Sequence, residues 1–304
     1  MVKMIDLNRI YNEDCLEGMK RIPDNSVDCI LTDPPYLYLK NQKLDRPFDE
    51  IAFFKECKRV LKKDSFIVLF GRGTSFYRWN CILADMGFTF KEEIVWDKGY
   101  TTSPLMKVHR THETVSIHTK GKGTIKKAAI PYLEQKQYDI NSIITDIKRL
   151  RSCLHNSKNL KAVEDYLTKK IKTIDSTQQP KYVSVSSVIN ITNRCTAAIK
   201  SIEDGMNEKT IIKEVLRRQQ SIHPTQKPVR LLERLLNLVC DEGCTVLDPF
   251  SGSASTAIAC INTKRNYIGF EIDKEYHELS VKRINDLNTC LSPNKTTYRS
   301  APTR

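Results

Sequence analysis

The chain has 304 residues, 40% of them hydrophobic, and a formal net charge of +13. That suffices for a sizeable core, in one large α/β domain or a domain carrying an insert, and no run approaches the roughly 18 apolar residues of a membrane span. Ten scattered cysteines without a C-x-x-C pair argue against a disulfide scaffold or a zinc ribbon and read as buried hydrophobes of a reducing compartment.

No metal is expected, because His109 and His112, three apart, lack further ligands. Met1–Asp6 runs into polar residues without a signal-peptide apolar region, so an intracellular, cytoplasmic protein is expected.

In chain order, Val27–Leu31 reads as a buried strand that ends at Asp33-Pro34-Pro35-Tyr36. Each proline fixes φ and removes a donor, so the carbonyls point in set directions beside a carboxylate and an aromatic face. Such a pocket suits a planar, amino-bearing ring; the same residues also fit an ordinary proline-rich turn. Ile51–Leu61 has helical spacing of Phe53, Phe54, Cys57, Val60 and Leu61. Ser65–Phe70 is a buried strand, Ser75–Met86 a helix stopped by Gly87, and Phe90–Trp96 and Thr114–His118 are further strands. This alternation predicts a wound sheet with helices on both faces.

From Gly121 to Gln220 the character changes. Residues 121–220 hold 19 Lys and Arg against 10 Asp and Glu, whereas residues 1–120 hold 19 against 17 and residues 221–289 hold 8 against 9. Amphipathic helices are predicted over Asn141–Leu154 and Asn159–Ile174, a β-like stretch over Tyr182–Ile191, and a third helix over Glu208–Gln220. The block reads as a mainly helical inserted domain at 121–220, and its charge suits a polyanion such as nucleic acid, or a merely solvated surface.

The α/β pattern then returns over 221–290. His223-Pro224-Thr225-Gln226-Lys227-Pro228 is a stiff polar loop before a helix at Pro228–Leu238. It suits an anionic ligand group, or Thr225 is simply the helix cap. Thr245–Asp248 is a strand, Ser251–Asn262 a helix entered through a small-residue turn, Tyr267–Glu271 the next strand and Lys274–Leu287 a helix. The turn Asp248-Pro249-Phe250-Ser251-Gly252-Ser253 lacks the three glycines of a dinucleotide fingerprint. Glu271, at the following strand end, is placed to accept ribose hydroxyls as in nucleotide-binding α/β folds; a packing turn followed by a surface acid has the same pattern. Residues 291–304 form a basic tail.

Asp33-Pro34-Pro35-Tyr36, the HPTQKP run at 223–228, DPFSGSAST at 248–256 and Gly269-Phe270-Glu271-Ile272-Asp273, in that order, resemble the β-class amino-methyltransferases of DNA, over residues 5–120 and 221–289. The resemblance implies a Rossmann-like methyltransferase fold with a largely parallel, doubly wound sheet, and an inserted target-recognition region. It implies S-adenosylmethionine as methyl donor and double-stranded DNA as partner. It implies catalysis by Asp33, Pro34, Pro35 and Tyr36. It implies a cofactor site in which Asp248, Phe250, Ser251, Gly252 and Ser253 line the methionine and Glu271 and Ile272 the ribose. Asp14 and Cys15, after Asn12-Glu13, would lie at the adenine, His223, Thr225 and Lys227 at the carboxylate end, and Asp33 beside the cofactor. Many members have Gly-Ser-Gly where Ser-Gly-Ser stands here.

Asp at the first catalytic position looks like the adenine-N6 enzymes; cytosine-N4 transfer is the alternative, and a non-catalytic DNA-binding module on the same scaffold a third reading. Homodimerisation and a cognate restriction endonuclease are both open.

Overall fold

The computed structural model describes residues 5–36, 46–101, 107–143, 145–146, 201–202, 204–215 and 226–291. They group into two compact units, Met1–Lys126 with Lys209–Arg304, and Lys127–Glu208.

The larger unit is built on one sheet. Its strands are β1 (Arg9–Tyr11), β2 (Val27–Thr32), β3 (Leu61–Gly71), β4 (Thr89–Asp97), β5 (His112–Thr119), β8 (Ile211–Lys213), β9 (Thr245–Asp248) and β10 (Asn266–Phe270), in the spatial order β1-β10-β9-β2-β3-β5-β4-β8. All neighbouring pairs are parallel except the two made by β5. Strand β2, the Phe66–Phe70 half of β3 and the centre of β9 are buried apolar runs, as in a sheet covered on both faces.

The first covering helices are α1 (Cys15–Met19), α2 (Glu50–Val60) and α3 (Gly73–Asp85). Helix α2 shows why such segments fold locally. Asp49 caps it by accepting the Ala52 N–H at 2.9 Å, Glu50 sits in its first turn and Lys58 and Arg59 in its last, which complements the helix dipole. Its Phe53, Phe54, Cys57 and Val60 enter a core shared with Met19, Ile30, Leu69, Trp79, Leu247 and Phe270.

The sequence misplaces one element. Glu208–Gln220 was expected to be a helix, but Ile211–Lys213 is a strand laid parallel to β4, with Val95 donating to the Thr210 carbonyl at 2.7 Å and Glu214 to that of Asp97 at 3.1 Å. The Arg234 guanidinium binds the Glu214 carboxylate at 2.7 Å and the Trp96 indole donates to the Glu214 carbonyl at 2.8 Å. Edge pairing and these anchors override the helical spacing. Residues 216–220 of that segment lie outside the described residues.

The smaller unit opens and closes on one ladder. Strand β6 (Ala129–Ile130) pairs antiparallel with β7 (Met206–Asn207), and α4 (Tyr132–Gln135) follows β6. Residues 140–143 and 145–146 are helical, with Asp139 accepting the Asn141 N–H at 3.1 Å. The expected elements at 159–174 and 182–191, and most of that at 141–154, fall outside the described residues.

The chain then returns to the sheet through α5 (Val229–Val239), α6 (Ser255–Asn262) and α7 (Lys274–Leu291). Helix α6 starts at Ser255, not Ser251, because residues 251–254 form a turn. Among the described residues no helix is long and apolar enough to cross a membrane, and no His/Cys/Asp/Glu group could hold a metal ion.

Candidate active site

The winding of the sheet reverses between β9 and β2. From β9 the chain passes through α6 to β10 on one side; from β2 it passes through α2 to β3 on the other. Ligands of open α/β sheets sit in the crevice at such a switch point, outside the carboxyl ends of the strands. Strand β9 ends at Asp248 and β2 leads into Asp33. With Ile30 paired to Leu247, the two carboxylates leave the sheet side by side, although far apart in sequence.

Asp33 has both oxygens engaged. Oδ1 accepts from the Tyr36 hydroxyl and Oδ2 is ion-paired with Lys227 Nζ. Tyr36 is anchored in turn: its carbonyl accepts from Ser75 Oγ at 2.9 Å, and its ring lies 6.1 Å from that of buried Trp79. Burial pushes the Asp33 carboxyl up and Glu113 adds to this, against the opposing pull of Lys227.

The second half of the site is the turn after β9. The Asp248 carboxylate accepts the Phe250 N–H at 3.2 Å, Ser251 Oγ donates to the Asp248 carbonyl at 3.1 Å, and the Ser251 N–H donates to the Phe270 carbonyl at 2.8 Å. Gly252 has φ +47° and Ala254 φ +62°, so the turn makes two left-handed steps, one at a non-glycine residue. Arg283 of α7 braces it, donating to the Ser253 carbonyl at 2.7 Å and to Ser255 Oγ at 3.1 Å. Glu271 accepts the Gly252 N–H on Oε2 at 2.9 Å and the Asp273 N–H on Oε1 at 2.8 Å; each carboxylate oxygen keeps lone-pair capacity for a ligand hydroxyl. Burial pushes Asp248 up to about 7, with Asp33 and Glu271 adding to the rise, and burial also raises Glu271. Asp248 and Glu271, each under a tenth exposed, put two buried carboxyl groups around one crevice that suits a cationic, hydroxyl-bearing ligand, whereas Asp33 is half-buried and already paired with Lys227.

Gly269 on β10 lets this turn approach. A Cβ there would lie 2.2 Å from Ser251 Oγ and 3.1 Å from Ile10 Cγ1. Gly269→Ala is expected to break the Ser251–Asp248 bond, destabilise the fold by about 1–3 kcal/mol and weaken cofactor affinity roughly tenfold in calorimetric titration. Adding Ser251→Ala should recover part of the loss; a Gly269→Ala chain that melts and binds like the wild type would refute the role of this contact.

The other expected positions fall as follows. Asp14 caps α1, accepting the Leu16 N–H at 2.8 Å, and Cys15 is buried, its thiol pushed up to about 12 by burial and by Asp14. Since Tyr11 pairs with Phe270, this segment leaves the sheet beside Glu271. Asn12 Nδ2 ties the two exits together by donating to the carbonyls of Glu271 at 2.8 Å and Ile272 at 3.2 Å. His223 and Thr225 lie outside the described residues. Lys227, expected at the cofactor's carboxylate, has its Nζ on Asp33. Sequence reasoning missed Lys98, Glu113 and Arg283. Glu113 immediately precedes the expected strand Thr114–His118 and lies in the observed β5, His112–Thr119, where no local motif marks it.

The fold and the two-part crevice define a Rossmann-like methyltransferase. The chain belongs to the DNA methylase family, whose profile, covering N6 and N4 methyltransferases, matches residues 27–282. It is 26% identical to the type II methyltransferase M.HinfI of Haemophilus influenzae, over 92% of this chain and 69% of that protein. Among solved structures it resembles the M1.HpyAVI–SAM complex, with a TM-score of 0.54 and 21% identity over 90% of this chain and 98% of that chain. It also resembles the cytosine-N4-specific PvuII DNA methyltransferase, with a TM-score of 0.58 and 16% identity over 96% of this chain and 89% of that chain. At these identities the solved structures speak to the fold.

Proposed function

We propose that the protein transfers a methyl group from S-adenosylmethionine to the exocyclic N6 of an adenine flipped out of double-stranded DNA, with direct attack by the nitrogen. The observation that carries this reading is the adjacency of the proline-locked Asp33 and the acidic turn at Asp248 across the switch point.

S-adenosylmethionine, when bound, supplies an electrophilic methyl on a sulfonium. Asp248, Phe250, Ser251, Gly252 and Ser253 would hold its methionine part, Glu271 and Ile272 the ribose, and Asp14 and Cys15 the adenine side; its cationic groups fit the buried Asp248 and Glu271 carboxyls. The amine of a nucleobase is a weak nucleophile because its lone pair is conjugated into the ring. Asp33 accepts one amino hydrogen and the Pro34 carbonyl the other, which draws the nitrogen toward tetrahedral geometry. Pro35 stiffens the acceptor row and Tyr36 offers its ring face to the base. Positioning and fixed dipoles supply much of the rate, and no covalent enzyme intermediate is needed. A base inside a duplex cannot reach this crevice, so it must flip. The basic 121–220 region would grip phosphates, making binding strongly salt-dependent.

Asp at the first catalytic position favours adenine. Cytosine N4 is the second reading, because the same fold serves the cytosine-N4-specific PvuII enzyme. The test is incubation with labelled S-adenosylmethionine and DNA, then digestion and identification of the labelled nucleoside. N6-methyl-2′-deoxyadenosine is expected; N4-methyl-2′-deoxycytidine would move the protein to the second reading, and unlabelled DNA would refute both.

A further inference from the structure

A row of buried charges runs away from Asp33. Lys227 Nζ lies on Asp33 Oδ2 and 3.1 Å from Glu113 Oε2, and Glu113 Oε1 is paired with Lys98 Nζ. The four come from four places: Asp33 after β2, Glu113 in β5, Lys98 just past β4 and Lys227 just before α5. The side chains of Lys98, Glu113 and Lys227 are each about a tenth exposed. Lys227 Nζ is walled by rings, 5.2 Å from the centroid of Phe70, 5.9 Å from Trp96 and 6.0 Å from Tyr36, and Lys98 Nζ lies 5.1 Å from Trp96.

We infer that Glu113, held by Lys98, is a positioning residue for methyl transfer: by sharing Lys227 it keeps Asp33 oriented and stops the lysine from closing on Asp33 alone. This rests on the reading of Asp33 as the acceptor for the amine. An ion row this dry is a poor source of stability, since desolvation offsets most of the attraction, so its arrangement calls for another explanation. With Glu113 absent, Lys227 would close on Asp33 alone and compete with the incoming amine. With Lys227 absent, burial and Glu113 would both drive Asp33 toward its neutral form. As the amine nitrogen gains the methyl it becomes cationic and sheds a proton, and the oriented Asp33 carboxylate is the group to take it. Among the described residues, the charged and titratable groups facing Asp33 are Lys227, Glu113, the Tyr36 hydroxyl and, across the switch point, Asp248. The same balance holds Glu113 below the usual carboxylate range: burial opposes its ionisation, and Lys227 and Lys98 together overcome it.

The experiment is the single-turnover rate of the full chain against pH, with cofactor and DNA saturating. Wild-type rate should rise with pH as Asp33 ionises. Glu113→Gln removes a neighbouring anion, so the acid limb should move to lower pH while the plateau falls about tenfold and cofactor Kd stays within about threefold. Lys227→Met should move the limb the opposite way, to higher pH. Should Glu113→Gln fail to fold, the charge-balanced pair Lys98→Met/Glu113→Gln carries the same expectation. A wild-type limb and plateau in the Glu113 variants would overturn the inference while leaving the proposed reaction standing. So would a Lys227→Met chain that loses cofactor affinity tenfold with an unmoved limb, since it would return Lys227 to the cofactor. A wild-type protein that methylates no DNA would instead refute the reaction itself, and this inference with it.

Discussion

Asp33→Ala is expected to lower the single-turnover rate of methyl transfer roughly a thousandfold or more, at the upper end of what one positioned acceptor contributes, while cofactor Kd changes less than about threefold. The split follows from the geometry. Asp33 belongs to the rigid exit of β2, whereas the groups proposed to hold the cofactor hang on β9, β10 and the exit of β1. Asp33→Asn separates the acceptor's two duties. The amide oxygen still accepts from Lys227 and the side chain keeps its shape, but it takes up no proton, and its NH2 replaces the oxygen that accepts from Tyr36. It should therefore remain about a hundredfold slow. Rates measured after rapid mixing of preformed complexes would show this. An Asp33→Ala chain that transfers methyl at the wild-type rate, or one that has lost the cofactor altogether, would refute the assignment.

Asp248→Asn should pull stability and function apart. Burial holds this carboxyl at about 7 in the folded chain, against an ordinary 3.8, so folding favours the protonated form. The stability contributed by that preference is complete below pH 3.8 and is lost as pH rises through about 7. The gap corresponds to at most roughly 4 kcal/mol against the ionised form at pH 8. An amide keeps the acceptor for the Phe250 N–H and carries no charge, so the variant should melt higher than the wild type at pH 8. About 2 kcal/mol is expected after allowing for the new amide hydrogens, with a smaller advantage at pH 5. The same change removes one of the two buried acids facing a cationic ligand, and cofactor affinity should fall at least tenfold. In the wild type, binding should release protons below pH 7, visible as a buffer-dependent calorimetric heat. A variant that is both less stable at pH 8 and normal in binding would refute both halves.

What the sequence disclosed and what it hid divide along a physical line. Val27–Leu31, Ser65–Phe70 and Thr245–Asp248 are strands buried on both faces, and such runs announce themselves without any neighbour. Asp33-Pro34-Pro35-Tyr36 and the turn at 248–253 could be read because backbone stiffness and small size are local properties. Strand β8 could not: Ile211 and Ile212 suit a helix as well as a strand, and only the open edge of β4 and the Glu214 anchors decide between them. The reversal at β5 is likewise a matter of which neighbour is free. Lys98 and Glu113 escaped notice for a related reason. Neither lies in a motif, and they acquire meaning only when the sheet places them against Lys227, which itself looked like a ligand for the cofactor until its partner was seen. Ala254 is the opposite case: its positive φ sits in a turn whose small residues were plain, although alanine gives no hint of a left-handed backbone.

The ladder that pairs Ala129 with Asn207 and Ile130 with Met206 has a consequence for how such a chain can diversify. The excursion between those residues departs and returns on adjacent strands, whose Cα atoms stand only about 4.5–5.5 Å apart. Its two ends therefore present a fixed, narrow doorway whatever lies beyond. Segments of other lengths can be exchanged through that doorway without altering the distance between its two ends; on the proposed reading of the 121–220 region as the part that contacts DNA, recognition can therefore vary while the sheet and its crevice are inherited unchanged.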